Sequence, residues 1–266
     1  MQEKRIAMLL GVNIDHIAVL REARKINDPD PLDALSIVKR SGADQITIHL
    51  REDRRHIHDE DAQKIIENSP LPVNLECAIN EEMIEKALFL RPHRVTLVPE
   101  KREEVTTEGG LDVVKNFDTI VMIAQKLKRA QIELSLFIDP NSAMVDASHA
   151  LKTQWIELHT GMYANVYAML FTNLSRTHHS IKTLELNRES LHVKLHEALA
   201  ELSMASKKAH LLGLKVAAGH GLNYHNVTAI KGIEEIVELN IGQSIIARSV
   251  FVGLENAIKE MIGLLR

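Results

Sequence analysis

Eight short apolar runs recur along the 266 residues, and the segments between them are longer and carry helical spacing. The runs are Leu9–Ile14, Gln45–Leu50, Val73–Cys77, Arg94–Val98, Leu134–Ile138, Trp155–His159, Leu214–Ala218 and Ile236–Ile241. Each is the length of a buried parallel strand, and each ends at a turn or at a helix-like stretch. Repeated strand-then-helix units imply parallel strands joined by right-handed crossovers. Two architectures satisfy that pattern, a closed barrel and an open doubly wound sheet. Eight regular units favour closure, and no G-x-G-x-x-G motif follows the first run to support the open alternative. A (β/α)₈ barrel needs about 250 residues, so the chain reads as a single domain over 1–266 with TIM-barrel architecture, extra helices and a long insertion after the sixth strand. Aromatic side chains make up only 3% of the residues, so the core must be built from aliphatic ones, which suits helices packed on parallel strands.

The intervening segments carry helix signals. Asp28-Pro-Asp-Pro supplies a cap and an early proline ahead of Leu32, Leu35 and Val38, and Gly42 stops that element. Asn80 is placed to cap a helix with Glu81 and Glu82 in its first turn, and Pro92 follows its end. Ile120, Ala124 and Leu127 mark a further helix, residues 191–212 a long one, and residues 245–265 the last. Two stretches break the rhythm. Residues 99–110 form a long polar loop after the fourth strand, and residues 164–189 form the insertion, which contains His178-His179.

Composition limits the partners. The formal net charge is −4, from 32 basic and 36 acidic side chains, so bulk attraction to nucleic acid is not expected. The single cysteine, Cys77, cannot close an intrachain disulfide, and a reducing, cytoplasmic setting is the natural reading. No stretch approaches the ~20 apolar residues of a membrane span, and the first residues lack a secretory pattern.

Barrel chemistry sits at the C-terminal ends of the strands. The first strand ends in Asn13-Ile-Asp15-His16 and the second in His49-Leu-Arg51. The third carries Glu76, the fourth leads to Glu100-Lys101-Arg102, and the fifth ends in Asp139. The sixth carries Glu157 and His159, the seventh ends in Gly219-His220-Gly221, and the eighth in Asn240-Ile-Gly242. Asp139 and Asn240 can equally be plain turn residues. Charged groups inside apolar strands are costly unless paired or functional. Histidines and carboxylates without a nucleophile point to proton transfer. Cys77 follows Glu76 and must face the other way, so it is set aside as a nucleophile. His56-Ile-His58-Asp59 has zinc-like spacing but lies beside Arg51, Arg54 and Arg55, and an ordinary solvated loop is the better reading. The glycines at 219, 221 and 242, with Ser244, suit a phosphate at the last two strand ends, and Arg24, Arg51 and Arg54 are candidates for a second phosphate.

The segments GVNIDHIAVLREAR (11–24), GADQITIHLREDRRHI (42–57), LVPEKREEVTTEGGLDV (97–113), IELHTGMYA (156–164), AGHGLNYHNV (218–227) and ELNIG (238–242) resemble the pyridoxine 5'-phosphate synthases, in order and over nearly the whole chain. The resemblance implies a TIM barrel that condenses 1-deoxy-D-xylulose 5-phosphate with 3-amino-2-oxopropyl phosphate and releases phosphate and water. It implies no metal or organic cofactor, and assembly as a homooctamer, a tetramer of dimers. It implies His49 and Glu76 as general acid/base groups, His220 as proton donor and Glu157 as the stabiliser of charged intermediates. Asn13, Arg24, Gly221, Gly242 and Gln243 would hold the aminooxopropyl phosphate. Asp15, His16, Arg51, His56 and Thr106 would hold the deoxyxylulose phosphate, and the 99–110 loop would act as a lid. Two departures stand out: Gln243 where the family pattern has histidine, and a segment over 166–189 longer than the pattern. Other readings of the same residues are a sugar-phosphate aldolase or isomerase and a non-catalytic phosphometabolite-binding barrel.

Overall fold

A computed structural model describes residues 7–100 and 109–266. Eight parallel strands close into a barrel in sequence order: β1 (Leu9–Asn13), β2 (Gln45–His49), β3 (Val73–Cys77), β4 (Arg94–Leu97), β5 (Glu133–Ile138), β6 (Trp155–His159), β7 (Lys215–Gly219) and β8 (Ile236–Ile241). Every run singled out in the sequence is a strand, with ends shifted by a residue or so. The barrel closes where Gly11 of β1 pairs with Asn240 of β8.

Around it lie α1 (Asp15–Glu22), α2 (Ala34–Arg40), α3 (Asp59–Asn68), α4 (Glu81–Leu90), α5 (Phe117–Arg129), α6 (Ser142–Ala150), α7 (Gly161–Phe171), α8 (Arg188–Leu211), α9 (Val227–Lys231), α10 (Gln243–Val252) and α11 (Leu254–Leu265). The expected caps are in place: Asp30 accepts from the N–H of Leu32 ahead of α2, and the side chain of Asn80 accepts from the N–H of Met83 at the start of α4; Asn187 likewise accepts from Ser190 at the start of α8. One expectation is corrected. The last helix is two, because Gly253 takes φ +80 and turns the chain between α10 and α11. L-residues rarely adopt that value. The segment at 164–189 is also more regular than an insertion. Its first part continues α7, and short 3₁₀ turns at Leu174–Arg176 and Lys182–Leu184 carry the chain to α8. His178 and His179 are exposed there, as expected.

Side chains alternate strictly across the sheet. Ile46, Ile48, Leu75, Val95, Leu97, Leu136, Ile156, Leu158, Val216 and Leu239 belong to the aliphatic core shared with the helices. The other face points into the barrel and is polar: Gln45, Thr47 and His49 on β2, Asn74 on β3, Arg94 and Thr96 on β4, Ser135 on β5, Glu157 on β6, and Glu238 and Asn240 on β8 are all buried. Branched aliphatic layers are usual in such a lumen. Here the lumen is hydrogen-bonded instead. Arg94 donates to Glu238 at 2.7 Å across the width of the barrel, and the Arg94 guanidinium stacks on the Trp155 ring at 3.7 Å. Among the described residues, no helix is long and apolar enough to cross a membrane.

Candidate active site

The C-terminal mouth collects two groups of ionisable side chains. The first is built on β1, β2 and β3. Asn13 ends β1, donates to Asp15 Oδ2 at 2.8 Å and accepts from the Asp15 N–H at 2.9 Å. Asp15 Oδ1 in turn accepts from the His49 N–H at 2.9 Å, which pins the first strand end to the second. His49 Nε2 lies 2.8 Å from Glu100 Oε1 and its Nδ1 lies 3.9 Å from Glu76 Oε2. Two carboxylates therefore flank one imidazole. Burial pushes the Glu76 carboxyl well above the usual range, and the charges of Glu157 and Asp15 push the same way. Burial works against the Glu100 carboxylate as well, but the His49 hydrogen bond and the N–H of Glu52 hold it below its ordinary value. An imidazole hydrogen-bonded to one acid and close to a second of opposite tendency is a proton-transfer arrangement.

The loop after β2 frames this group. Arg21 on α1 makes a two-pronged contact with Asp61 on α3, at 2.8 and 2.7 Å, and donates to the His56 carbonyl at 2.9 Å. That bridge fixes the 50–58 loop, with Arg51 buried in it and the His56 ring 6.3 Å from that of His49. Burial holds His16 and His56 below the ordinary histidine value, so both are neutral at pH 7.

The second group is built on β5, β6 and β7. Glu157 is buried, accepts from Asn240 Nδ2 at 2.8 Å, and is pushed up to about 7, chiefly by burial. His159 Nδ1 sits 3.2 Å from Asp139 Oδ1, and its ring lies 4.8 Å from that of His220. His220 is pushed down to about 4 by burial and by the neighbouring His159. Asp139 also accepts from the N–H of Gly110, so the far end of the loop after β4 docks on this group.

The glycines at the last strand ends are there for space. Gly221 takes φ +76, and a Cβ on it would lie 2.6 Å from that of Ala164. A Cβ on Gly242 would lie 2.9 Å from the Asn13 Cβ, so Asn13 and the start of α10 are in contact. Gln243 is exposed at the first position of α10, whose free N–H groups face the mouth.

The expected residues divide. Asn13, Asp15, His49, Glu76, Glu157, His220 and Gly242 lie at this mouth, and His16, Arg51, His56 and Gly221 lie in the loops around them. Thr106, Lys101 and Arg102 lie outside the described residues, as does most of the 99–110 loop. Arg24 is exposed just past the end of α1, and the last turn of that helix, through Arg21 and Glu22, touches the 56–58 loop. Arg54 is committed elsewhere, to Glu82 at 2.6 Å and Asp59 at 3.1 Å. Cys77 faces the helices, and burial pushes its thiol up to about 12, which rules it out as a nucleophile at neutral pH. Among the described residues, no three His, Cys, Asp or Glu side chains are grouped to hold a metal ion. Glu100 and the Asp139–His159 pair gained no role from the sequence. Their signal was position alone, one polar residue just past the end of β4 and one just past β5.

A parallel barrel with proton-transfer groups and bare backbone at one mouth defines a barrel enzyme acting on anionic substrates. The chain belongs to the family described as pyridoxal phosphate biosynthesis protein PdxJ, whose model matches residues 10–266. It is 64% identical over 259 residues to the pyridoxine 5'-phosphate synthase of Aliarcobacter butzleri (strain RM4018), covering 97% of this chain and 99% of that one. It is 67% identical over 258 residues to the enzyme of the same name from Sulfurovum sp. (strain NBC37-1), covering 97% and 100%. Among solved structures, the barrel is similar to phosphoribosyl anthranilate isomerase from Thermus thermophilus, with TM-score 0.54, 13% identity and 97% and 98% of the two chains covered. It is also similar to the tryptophan synthase A-subunit of Pyrococcus furiosus, with TM-score 0.57, 11% identity and 98% and 100% covered. These two likenesses establish the fold.

Proposed function

We infer that this mouth runs the ring-closing condensation of pyridoxine 5'-phosphate synthase, joining 1-deoxy-D-xylulose 5-phosphate to 3-amino-2-oxopropyl phosphate. The observation that carries the reading is the convergence on one barrel mouth of His49 and Glu157, both buried, with the partly buried Glu76 and His220, the two carboxyls raised and His220 lowered. The chemistry asks for such a set. An amine adds to a ketone, the carbinolamine loses water, an enamine forms, phosphate leaves, and an aldol closure followed by aromatisation completes the ring. Each step moves a proton, and bases and acids must stand ready in one place.

His49 and Glu76, 3.9 Å apart, serve as the paired acid and base. Glu100 orients His49 through Nε2, which leaves Nδ1 toward Glu76. Glu157 offsets positive charge on the imine. His220, neutral at rest because of burial, takes a proton during turnover and returns it to a leaving oxygen. Asn13, Gly221, Gly242 and Gln243 hold one phosphate, and Asp15, His16, Arg51, His56 and Thr106 hold the other substrate. Two anchored partners make ring closure effectively intramolecular.

Arg24, exposed just past α1, joins the groups that hold the aminooxopropyl phosphate, of its own chain or of a second copy. Val19, Leu20 and Ile26 are apolar and exposed beside it, which supports a contact between copies and assembly as a homooctamer. The test mixes both substrates with the protein in a chelator-containing buffer. Pyridoxine 5'-phosphate appearing with equimolar inorganic phosphate supports the reading, and binding of both substrates without product overturns it. Light scattering gives the assembly, and a monomer overturns the octamer.

A further inference from the structure

Below the mouth, the polar lumen has an order that the synthase reaction does not by itself explain. Arg94 can only donate, and it donates to Glu238 Oε1 at 2.7 Å. Glu238 is therefore a pure acceptor. The Gln45 carboxamide faces that same oxygen at 3.3 Å and must present its NH₂. The same NH₂ lies 3.3 Å from Asn240 Oδ1, and the Thr47 hydroxyl donates to Asn240 Oδ1 at 3.1 Å. With its oxygen engaged on that side, Asn240 has one orientation left, with Nδ2 toward Glu157 Oε2 at 2.8 Å. A flipped amide would set Oδ1 against two carboxylate oxygens. Orientation thus passes from Arg94 to Glu157 through four side chains, all buried.

The backbone makes room for this path twice. Gly11 lies on β1 between Gln45 and Asn240 in register, and a Cβ there would collide with Asn240 Oδ1. Gly219 lies on β7 beside Asn240, and a Cβ there would collide with Glu157 Oε1. A bare position on each intervening strand lets β2, β8 and β6 touch across it.

Resting on the reading of Glu157 as the group that offsets cationic intermediates, we propose that Asn240 is its positioning residue: a carboxamide locked by Thr47 and Gln45 delivers a fixed N–H to that carboxylate, so that it meets the substrate ionised and aimed. Burial opposes ionisation of Glu157, and the Asn240 hydrogen bond is the neighbour that favours it most. The charged groups facing Glu157 are Glu76 from β3, Arg94 from β4, Glu238 from β8 and the titratable His159 on its own strand, with His220 at the end of β7. The inward residues of β5 and β7 next to it, Phe137, Ala217 and Gly219, carry no charge. Glu76 and Glu238 disfavour the ionised form and Arg94 favours it, so the carboxamide decides the balance.

The test uses the full-length protein and two variants. Asn240→Asp puts an acceptor where the donor was. Thr47→Val keeps the volume and removes the hydroxyl that locks the amide, and it serves if Asn240→Asp fails to fold. Infrared titration of the substrate-free protein follows the protonated-carboxyl band that Glu157→Gln removes, alongside pH profiles of kcat and KM. The expected result is a Glu157 midpoint higher in Thr47→Val and higher again in Asn240→Asp. The rate at neutral pH should fall about tenfold for each unit of that displacement, recover toward alkaline pH, and leave KM little changed. A midpoint unmoved in a folded variant, or a rate lowered equally at every pH, overturns the proposal. The infrared arm needs no turnover, so a protein that makes no pyridoxine 5'-phosphate sinks the synthase reading while this inference is still decided.

Discussion

The two ends of the barrel lumen use the same residue types to opposite purposes. At the floor, charges are matched: Arg94 meets Glu238 at 2.7 Å and also lies 3.6 Å from Glu133, with Trp155 covering the guanidinium. At the mouth they are left unequal. The carboxyls of Glu76 and Glu157 are raised, that of Glu157 to about 7, those of Glu100 and Asp139 are lowered, and His220 is pushed down to about 4. A polar lumen is therefore not in itself a sign of catalysis. A close ion pair marks the structural end, and perturbed proton affinity marks the chemical one.

That contrast can be broken at several points. The largest effect is expected at the mouth. Glu76→Gln and His49→Ala should each lower kcat by at least ~100-fold in steady-state assays, with the circular dichroism spectrum unchanged. Activity near that of the parent would remove the residue from its role. Next is Arg94→Met at the floor. It leaves Glu238 buried without its cation and should lower stability by about 3 to 5 kcal/mol in denaturant titrations. A loss under about 1 kcal/mol would mean that the floor pair matters little.

A smaller effect separates the ends by sign. Glu157 has its proton affinity raised by folding, from 4.5 to about 7. The stability it contributes is therefore complete below the unfolded value and is lost as pH rises toward 7, by on the order of 3 kcal/mol. Glu157→Gln should flatten the dependence of denaturation midpoint on pH between about 5 and 8 and be the more stable form at the alkaline end. A slope equal to the parent's would show that the carboxyl titrates normally. The smallest effect belongs to the outward face of the same sheet. Cys77→Ala should change kcat by less than about twofold, since the thiol is buried against the helices and stays protonated. A large loss would place it in the chemistry.

Much of this was legible in the residues themselves. Strand and helix periods gave the barrel, because a parallel strand between lumen and helices needs a short run and nothing else of its length. His49, Glu76 and Glu157 were legible because a charge next to aliphatic residues in such a run faces the opposite way from them, into the barrel. The same period of two is present in Gln45-x-Thr47, Arg94-x-Thr96 and Glu238-x-Asn240, yet only Asn240 stands out, as a strand-end residue, and the others read as parts of apolar strands. Their function is to bond across the lumen to strands that are far apart in sequence, and no local pattern shows which partner that is. Gly253 was missed because its helix pattern continues in phase on both sides.

The bare backbone at Gly219 has a consequence for how this protein can change over generations. The space of one methyl group is on loan to Glu157, so the two positions form a single heritable character. Any side chain gained at 219 evicts the carboxylate, and a lineage that no longer needs the carboxylate is released from glycine at 219. Position 219 is then a marker that can be scored without knowing the reaction. Barrels of this family that carry alanine or serine there are expected to have lost Glu157 or the activity that depends on it.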